Sequence, residues 1–289
     1  MIIVIIGPTG VGKTKLSVEL AKKINAEIIN ADATQVYRDM NIATAKVTTE
    51  EMEGIKHHLI DTKDFTENYT IYDYQKDGRE IIDNLQKENK NIIIVGGSAL
   101  YIKALLYDYQ FNKETTSYNL NKYSNQELFD FIKEHDETID IHINNRKRLE
   151  RYYSKILNNG ITSKNENKKL YDFETIFLTT DRDNLYNIID NRVDKMVESG
   201  LLDEAKYFYD KKVTCKSLNT VIGYKELFKY FDGELTIEEA LDLIKKNSRH
   251  YAKRQYTFFR NKFDYHLVNT NYDDFSKTID EVMEILKIK

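Results

Sequence analysis

Residues 2–14 of this 289-residue chain read IIVIIGPTGVGKT, and this stretch decides the fold. Its first five letters form a continuous β-branched apolar run, which is typical of a parallel strand buried on both faces. After the glycines, Leu16, Leu20 and Ile24 recur at a spacing of four, which predicts a helix over 13–24. Because a strand precedes the glycines and a helix follows them, the stretch fits the phosphate-binding loop G-x-x-x-x-G-K-[ST].

Each residue type in this loop has a chemical reason to contact phosphate. The glycines let successive backbone N–H groups face a polyphosphate, and the helix N-terminus adds partial positive charge. Lys13 supplies a full positive charge, and the hydroxyl of Thr14 is a potential Mg²⁺ ligand. The alternative is a chance glycine-rich turn, which the flanking strand and helix disfavour. We assign phosphate binding to the whole loop: Gly7, Pro8, Thr9, Gly10, Val11, Gly12, Lys13 and Thr14.

The alternation of strands and helices continues along the chain and predicts an α/β fold, a phosphate-loop NTPase-like parallel sheet. We predict further strands at 26–31, 91–95 and 174–179, with helices at 72–88 and 98–107. Residues 110–172 are polar and include two short charged helices, 124–136 and 145–158, so we predict a small helical insertion there. The core domain is then 1–109 with 173–289. Its C-terminal half is mostly helical, with helices predicted at 184–199, 201–211, 220–231, 236–260 and 273–287 and a last strand at 264–268.

Composition excludes several classes of protein. With one cysteine, Cys215, the chain can form neither an internal disulfide framework nor a cysteine-rich zinc site. It contains no apolar run of about 18 residues, so we expect no membrane span and a cytoplasmic protein. The net charge is -4, so any nucleic-acid binding has to come from local basic patches.

A second group of residues lies at predicted strand ends, where open α/β sheets bind ligands. Nucleotide hydrolysis calls for an acidic residue after a further strand, but the strand at 91–95 is followed by Gly96-Gly97-Ser98. The acid is Asp32, after the strand at 26–31. It is a candidate general base or Mg²⁺ ligand. The alternative is that Asp32 caps the next helix.

Two stretches are strongly basic although the chain is acidic overall. Residues 245–262 hold seven Lys or Arg and no acid, with Tyr251, Tyr256, Phe258 and Phe259 interleaved. Residues 145–155 hold five Lys or Arg and one Glu. Such patches suit a phosphate backbone, and the aromatic rings suit stacking on unpaired bases. The alternative for each is a solvated helix face with core aromatics.

Taken together, these motifs resemble the bacterial tRNA dimethylallyltransferases, also called tRNA isopentenyltransferases. The likeness runs through nearly the whole chain in matching order and spacing. Ser98 stands where that family usually has threonine, and it keeps the hydroxyl. The matching stretches are GPTGVGKT at 7–14, DATQVYRDMNIATAK at 32–46, HHLID at 57–61, GGSALYIKALL at 96–106, IHINNRKRLER at 141–151, TVIGYKEL at 220–227 and AKRQYTFFR at 252–260.

The resemblance implies transfer of a dimethylallyl group from dimethylallyl diphosphate to the exocyclic amine of adenosine 37 in tRNA, with Mg²⁺ as cofactor. The phosphate loop then binds a diphosphate, which accounts for the missing acid. We expect a monomer that binds the anticodon stem-loop. The implied catalytic residues are Asp32, Thr14, Ser98 and Arg192. The implied tRNA-binding residues are Asp32, Ala33, Thr34, Gln35, Ser98, Lys147, Arg148, Leu149, Glu150, Arg151, Thr220, Gly223, Tyr224, Lys225, Lys253, Arg254 and Arg260.

Three other functions compete with this one. The first is an ATP-dependent small-molecule kinase, and the second is an isopentenyltransferase acting on free adenine nucleotide. Both leave the basic stretches unexplained. The third is an RNA-binding module without activity, for which the intact Lys13, Thr14 and Asp32 have no purpose.

Overall fold

The computed structural model of the protein describes residues 1–111, 118–158 and 168–288. The chain divides into two units, Met1–Tyr107 with Lys169–Lys289, and Asp108–Lys168. Residues 112–117 and 159–167 of the predicted insertion lie outside the described residues.

The first unit is built on a sheet whose six strands in the described chain are all parallel, in the order β3-β2-β4-β1-β5-β6. This confirms the predicted fold class. The continuous apolar run of β1 lies in the middle of the sheet, where Val4 pairs with Ile94 and Thr175. The strands are β1 Ile2–Ile6, β2 Ala26–Asn30, β3 His57–His58, β4 Asn91–Val95, β5 Glu174–Thr179 and β6 His266–Asn269.

Helices cover the sheet and are joined to its strands by loops. In the first unit they are α1 Lys13–Ile24, α2 Thr49–Met52, α3 Ile71–Lys87, α4 Ala99–Leu106, α7 Arg182–Glu198, α8 Leu201–Asp210, α9 Lys216–Thr220, α10 Tyr224–Phe231, α11 Ile237–Lys262 and α12 Phe275–Ile285. In the second unit they are α5 Asn125–His135 and α6 Arg146–Leu157, which pack around a small apolar core of their own.

Apolar side chains alternate between the two faces of the sheet, as the period of a strand requires. Val4 and Ile6 point into a core shared with α3, α4, α8, α10 and α11. Ile3 and Ile5 point into a second core with α1 and α12. Since both faces are covered, the loops at the carboxyl ends of the strands are the part of the sheet left open for a ligand.

The structure corrects three details of the prediction. The helix expected at 220–231 begins only at Tyr224, as α10, because Gly223 before it has φ +119, outside the helical range, and Thr220 instead ends the separate short helix α9. The short α2 and the two-residue β3 were missed. β3 is His57–His58, which has no apolar alternation and is a strand only because it pairs with Ile28 and Ile29 of β2.

Arg79 fixes the end of α4 and so the position of the loop before it. Its guanidinium donates to the carbonyls of Ala104 at 2.9 Å, Leu105 at 3.2 Å and Tyr107 at 2.7 Å. These are carbonyls in the last turn and at the end of the helix, which lack partners within it. The helix is therefore held at its C-terminus, while its N-terminus begins after Ser98 at the open edge of the sheet.

Candidate active site

A cavity of about 880 Å³ opens at the carboxyl ends of β1, β2 and β4 and is lined by the first unit alone. The loop after β4 meets the loop after β2 closely, since a Cβ on Gly96 would overlap the backbone of Ala31. The cavity brings together most of the sequence-predicted residues of this unit: Thr9, Gly10, Gly12, Lys13, Thr14, Asp32, Ala33, Thr34, Gln35, Ser98, Arg192, Thr220, Gly223, Lys225 and Arg254.

The phosphate loop forms one wall of this cavity. Gly12, with φ +87, is the residue at which α1 begins, and it has no side chain to cap the helix. The first backbone N–H groups of α1 are therefore open to an anion in the cavity. Val11 does not line the cavity but lies in the core, where its carbonyl accepts from Thr270 Oγ1 at 2.8 Å. The loop is thus anchored to the core on one side, and its other side faces the cavity.

Positive charge is concentrated beside the loop. Lys13 donates to the Pro8 carbonyl at 2.7 Å, and Arg192 Nη1 donates to Thr9 Oγ1 at 2.6 Å. Burial, and then the charge of Arg192, lower the pKa of Lys13 from its usual 10.5 to about 7, with Asp32 opposing the shift. Burial also lowers the pKa of Arg192, opposed by Asp32 and Glu51. Two cations whose charged forms are disfavoured in this way form a site for an anion.

Asp32 lies in a turn after β2. Its Oδ1 accepts from the backbone N–H of Thr34 at 2.9 Å and from the Thr34 hydroxyl at 2.7 Å. These bonds hold the carboxylate in place and use only one of its oxygens. The alternative that Asp32 caps the next helix is wrong, because that helix, α2, begins only at Thr49 and is capped by Thr48.

Ser98 and Gln35 hold the loops that surround Asp32. Ser98 Oγ accepts from the backbone N–H of Ala33 at 2.9 Å, which joins the loop after β4 to the loop after β2. Gln35 Nε2 donates to the carbonyls of Thr44 and Ala45, both at 3.1 Å. Both side chains line the cavity and also organise its backbone.

Three residues that shape this region are not among the assigned site residues, although Tyr251 was named as an aromatic ring suited to base stacking. The amide of Gln255 and the ring of Tyr251, both on α11, line the cavity. Both belong to a stretch already assigned to RNA contact, and this position on the helix gave no signal of a separate role. The third is Glu204 on α8, which supports a cavity loop from outside.

The carboxylate of Glu204 gathers four donors. Its oxygens accept from the backbone N–H groups of Asn41 at 2.9 Å, Ile42 at 2.7 Å and Ala43 at 2.9 Å. They also accept from the hydroxyl of Tyr224 at 2.7 Å. One side chain therefore holds the loop that leads from Asp32 to Ala45. It lies 161 to 163 residues further along the chain than the backbone groups that it binds.

The basic stretch on α11 divides by helix face. Lys253, Arg254 and Arg260 are exposed, and of these only Arg254 lines the cavity. Phe259 is fully buried against Phe177, so its ring belongs to the core, in agreement with the alternative interpretation of the interleaved aromatics.

Two other residues assigned to tRNA binding are core residues. Tyr224 has no exposed surface, because its ring packs in the core beneath the 220–225 loop. Leu149 is also fully buried, within the core of the second unit. A motif match extends over both faces of a helix, whereas only one face can contact RNA. Lys147, Arg148 and Arg151 on the same helix are exposed, and Glu150 accepts from Arg146 Nε at 2.6 Å.

The two histidines of the HHLID stretch do not form a metal pair. His58 Nε2 bonds to Glu27 at 2.6 Å, and His57 Nδ1 bonds to the Ile55 carbonyl at 2.8 Å. Over the described part of the chain, no cluster of three or more His, Cys, Asp or Glu side chains could hold a metal ion. In the same residues, no helix is long and apolar enough to cross a membrane.

The lowered pKa of Lys13 predicts that phosphate binding takes up a proton. At pH 8, Lys13 is mostly neutral in the free protein, and an adjacent anion raises its pKa and favours the charged form. At pH 6 it is charged in both states. Calorimetry with inorganic pyrophosphate, in buffers of different ionisation enthalpy, measures the protons taken up. Lys13→Arg, which stays charged, corrects for the protons of pyrophosphate itself. Equal uptake by both proteins at pH 8 would contradict the prediction.

Replacing Glu204 tests its hold on the loop. Glu204→Ala leaves three backbone N–H groups and one hydroxyl without their acceptor, so the free energy of unfolding should fall by about 1–3 kcal/mol. Glu281→Ala removes an exposed carboxylate from α12 and should change it by no more than about 0.5 kcal/mol. Urea denaturation followed by circular dichroism compares the two variants. A decrease no larger than that of the control would mean that water replaces the carboxylate.

The chain is similar along its length to one group of enzymes. A family model described as IPP transferase matches residues 35–262. The chain is 44% identical to the tRNA dimethylallyltransferase of Bacillus subtilis (strain 168), over 90% of this chain and 88% of the relative. It is 42% identical to the tRNA dimethylallyltransferase of Enterococcus faecalis, over 100% of this chain and 98% of the relative.

Solved structures give the same result. The full-length tRNA isopentenylpyrophosphate transferase of Bacillus halodurans matches with a TM-score of 0.79 at 40% identity, covering 99% of this chain and 95% of that one. A eukaryotic dimethylallyltransferase described as acting on tRNA matches with a TM-score of 0.80 at 26% identity, covering 99% of this chain and 78% of that one.

Proposed function

This chain belongs to the IPP transferase family, and from that membership we propose that it transfers a dimethylallyl group from dimethylallyl diphosphate to tRNA. The acceptor is the exocyclic N6 amine of adenosine 37, next to the anticodon, and the products are N6-(dimethylallyl)adenosine and diphosphate. The observation that carries the proposal is the cavity itself. It combines an anion site, formed by Lys13, Arg192 and the loop amides, with the carboxylate of Asp32.

The proposed reaction is a single displacement at the first carbon of the prenyl group. The adenine amine forms the new C–N bond as the C–O bond to the diphosphate breaks. Asp32 accepts a hydrogen bond, and then the proton, from the amine, which makes the nitrogen a better nucleophile. Lys13, Arg192 and the N–H groups of the loop stabilise the charge that develops on the departing diphosphate. Ser98 keeps the loop of Asp32 in position beside the reacting atoms.

Mg²⁺ fits the residues at this site. Thr14 is exposed at the cavity end of α1, and Mg²⁺ is ordinarily held by few protein groups together with phosphate oxygens and water. The metal ion would be held by the Thr14 hydroxyl and would supply positive charge to the diphosphate.

The acceptor base has to leave its stack to enter a cavity of this kind, because its amine is blocked within the stem-loop. The exposed cations of α11 suit phosphates of the bound RNA, and so, within the second unit, do those of α6. We propose that the enzyme acts as a monomer. The single cysteine suits the reducing cytoplasm, where we propose the enzyme acts.

One assay separates this function from its rivals. The protein is incubated with labelled dimethylallyl diphosphate and either AMP or unmodified tRNA. Label in tRNA supports the proposal, whereas label in AMP indicates a transferase for free nucleotide. Excess ATP should compete poorly. ATP hydrolysis that depends on Lys13 would instead indicate a kinase, and tRNA binding without any transfer would indicate an RNA-binding module.

Asp32→Asn tests the general base with little change in structure. Asparagine keeps an oxygen that can accept from Thr34, but it cannot take up a proton. We expect kcat to fall about 10²–10⁴-fold, with Asp32→Ala at least as impaired. The affinity for tRNA should change little. Unchanged turnover in Asp32→Asn would assign Asp32 a structural role.

Replacing Lys253, Arg254 and Arg260 together with Gln tests the RNA face of α11. Because these side chains are exposed, the fold and the binding of dimethylallyl diphosphate should persist. Affinity for the anticodon stem-loop should fall, and the slope of log K against log salt should flatten by about one for each phosphate that the variant no longer neutralises. Titrations at two salt concentrations measure both quantities.

A charge-matched control comes from other helices. Replacing Lys76, Lys87 and Lys277, which are exposed on α3 and α12, removes the same charge and should leave the slope nearly unchanged. If the two triple variants bind the stem-loop alike, the basic face of α11 is only a solvated surface.

A further inference from the structure

Gln255 joins the two loops on which the proposed chemistry depends. Its Oε1 accepts from the backbone N–H of Thr9 in the phosphate loop at 2.9 Å. Its Nε2 donates to the carbonyl of Gly97, in the loop after β4, at 3.0 Å. Only 5% of the residue is exposed, so water competes little for these bonds. We propose that Gln255 is a positioning residue that couples the diphosphate side of the cavity to the side that holds the acceptor base.

The contacts on either side of Gln255 reach the charged groups of the site. On one side, Thr9 also accepts from Arg192 through its hydroxyl. On the other, Gly97 precedes Ser98, whose hydroxyl accepts from the backbone of Ala33 next to Asp32. A continuous path of short contacts therefore runs from Arg192 to the loop of Asp32, and its central member is one side-chain amide.

The chemistry of this position requires an amide. The Thr9 N–H needs an acceptor and the Gly97 carbonyl needs a donor, and glutamine offers one of each at its tip. Glutamate can accept from Thr9 but has no proton for Gly97. Methionine has a similar size but makes neither bond well. Comparing glutamine, glutamate and methionine at position 255 therefore separates the effect of the two hydrogen bonds from the effect of side-chain volume.

Gly97 shows how closely the two loops are fitted around this amide. A Cβ at Gly97 would fall well inside 3.0 Å of Gln255 Nε2, closer than real Cβ contacts come. Its other neighbours are at ordinary contact distances, 3.5 Å to Gln255 Cδ and 3.8 Å to Asp32 Oδ2. The φ of Gly97 is not in the left-handed region. A side chain at position 97 would therefore displace the tip of the Gln255 amide and with it the tie to the phosphate loop.

The helix that carries Gln255 gives it a fixed base. Ala252 and Phe259, on the same side of α11, have no exposed surface and pack into the two cores of the first unit. The Tyr251 hydroxyl lies against both Ser98 and Gln255, and burial raises its pKa, so it remains a neutral hydrogen-bonding group. The amide is therefore held by the packing of its helix against the core and by the neighbouring Tyr251 hydroxyl, as a positioning role requires.

The first test measures the reaction and rests on the proposed function. In single turnovers with saturating dimethylallyl diphosphate and tRNA, Gln255→Met should slow transfer about 10²-fold. Gln255→Glu, which keeps one bond, should be slowed less. The affinity for tRNA should stay near that of the unaltered protein, whereas the melting temperature should fall modestly, because the Thr9 N–H and the Gly97 carbonyl lose their partners. Asp242→Ala, an exposed change on the same helix before the basic stretch, is the matched control and should transfer at the normal rate. A normal rate in Gln255→Met would overturn the proposal.

The second test does not depend on prenyl transfer and so distinguishes failure of the coupling from failure of the proposed function. The affinity for inorganic pyrophosphate is measured in Gly97→Ala, in Gln255→Ala and in the double variant. Gly97→Ala should weaken binding roughly 2- to 30-fold, although Gly97 is not in the phosphate loop. In the Gln255→Ala background, the same change should have no further effect, because the group it displaces is gone.

Two outcomes of the cycle overturn the proposal. Gly97→Ala could leave pyrophosphate affinity unchanged, or its effect could be the same with and without Gln255. Either would mean that the two loops act independently. If the unaltered protein transfers no prenyl group but the cycle shows coupling, the proposed function fails while the coupling of the two loops stands.

Discussion

Two cations, Lys13 and Arg192, lie beside the phosphate loop in one cavity, and the balance of charge in the rest of the site depends on them. Burial disfavours the charged form of each, and the charge of Arg192 lowers the pKa of Lys13 further. Asp32 opposes both shifts. Without an anion Lys13 loses its proton more easily than a free lysine, and a diphosphate would favour its charged form by supplying negative charge next to both residues. A base such as Asp32 can lie near the anion site because the same carboxylate helps to keep the two cations charged.

The loops around these charges are fixed mainly by neutral groups. Ser98 accepts from the backbone of Ala33, Gln35 donates to two carbonyls, and Gln255 does both at once. Neutral hydrogen bonds hold the backbone without adding charge. The electric field in the cavity is therefore set mainly by Lys13, Arg192 and Asp32. Glu204 on α8 is the charged exception. Its carboxylate holds the loop by accepting from the backbone of Asn41, Ile42 and Ala43, and it also accepts from the hydroxyl of Tyr224.

Elements of the fold that depend on local patterns could be predicted from the sequence. The bounds of β1, α1 and β5 agree with the predicted ones, because a buried parallel strand and an amphipathic helix each have a period that can be read directly. Prediction failed where distant parts of the chain meet. Glu204 is 161 to 163 residues from the amides it binds, and Gln255 is 246 residues from Thr9, so neither pairing leaves a local signal. Tyr224 and Leu149 were misassigned for a related reason, since a motif match does not reveal which side of a helix faces the core.

The long helix α11 explains why one short stretch of sequence can serve both the fold and the proposed reaction. Phe259 and Ala252 are buried on one side, Gln255 and Tyr251 face the cavity, and Lys253 and Arg260 are exposed. A helix of 26 residues presents these faces as one rigid element, since successive side chains turn by a fixed angle. A substitution on the core side would shift Gln255 along with it, and by the proposed coupling also the phosphate loop and the loop after β4 that it contacts. The exposed cations, in contrast, can change without moving the backbone. The residues of α11 that are most restricted by the proposed chemistry are therefore those that face the core and the cavity, and the exposed cations are the least restricted.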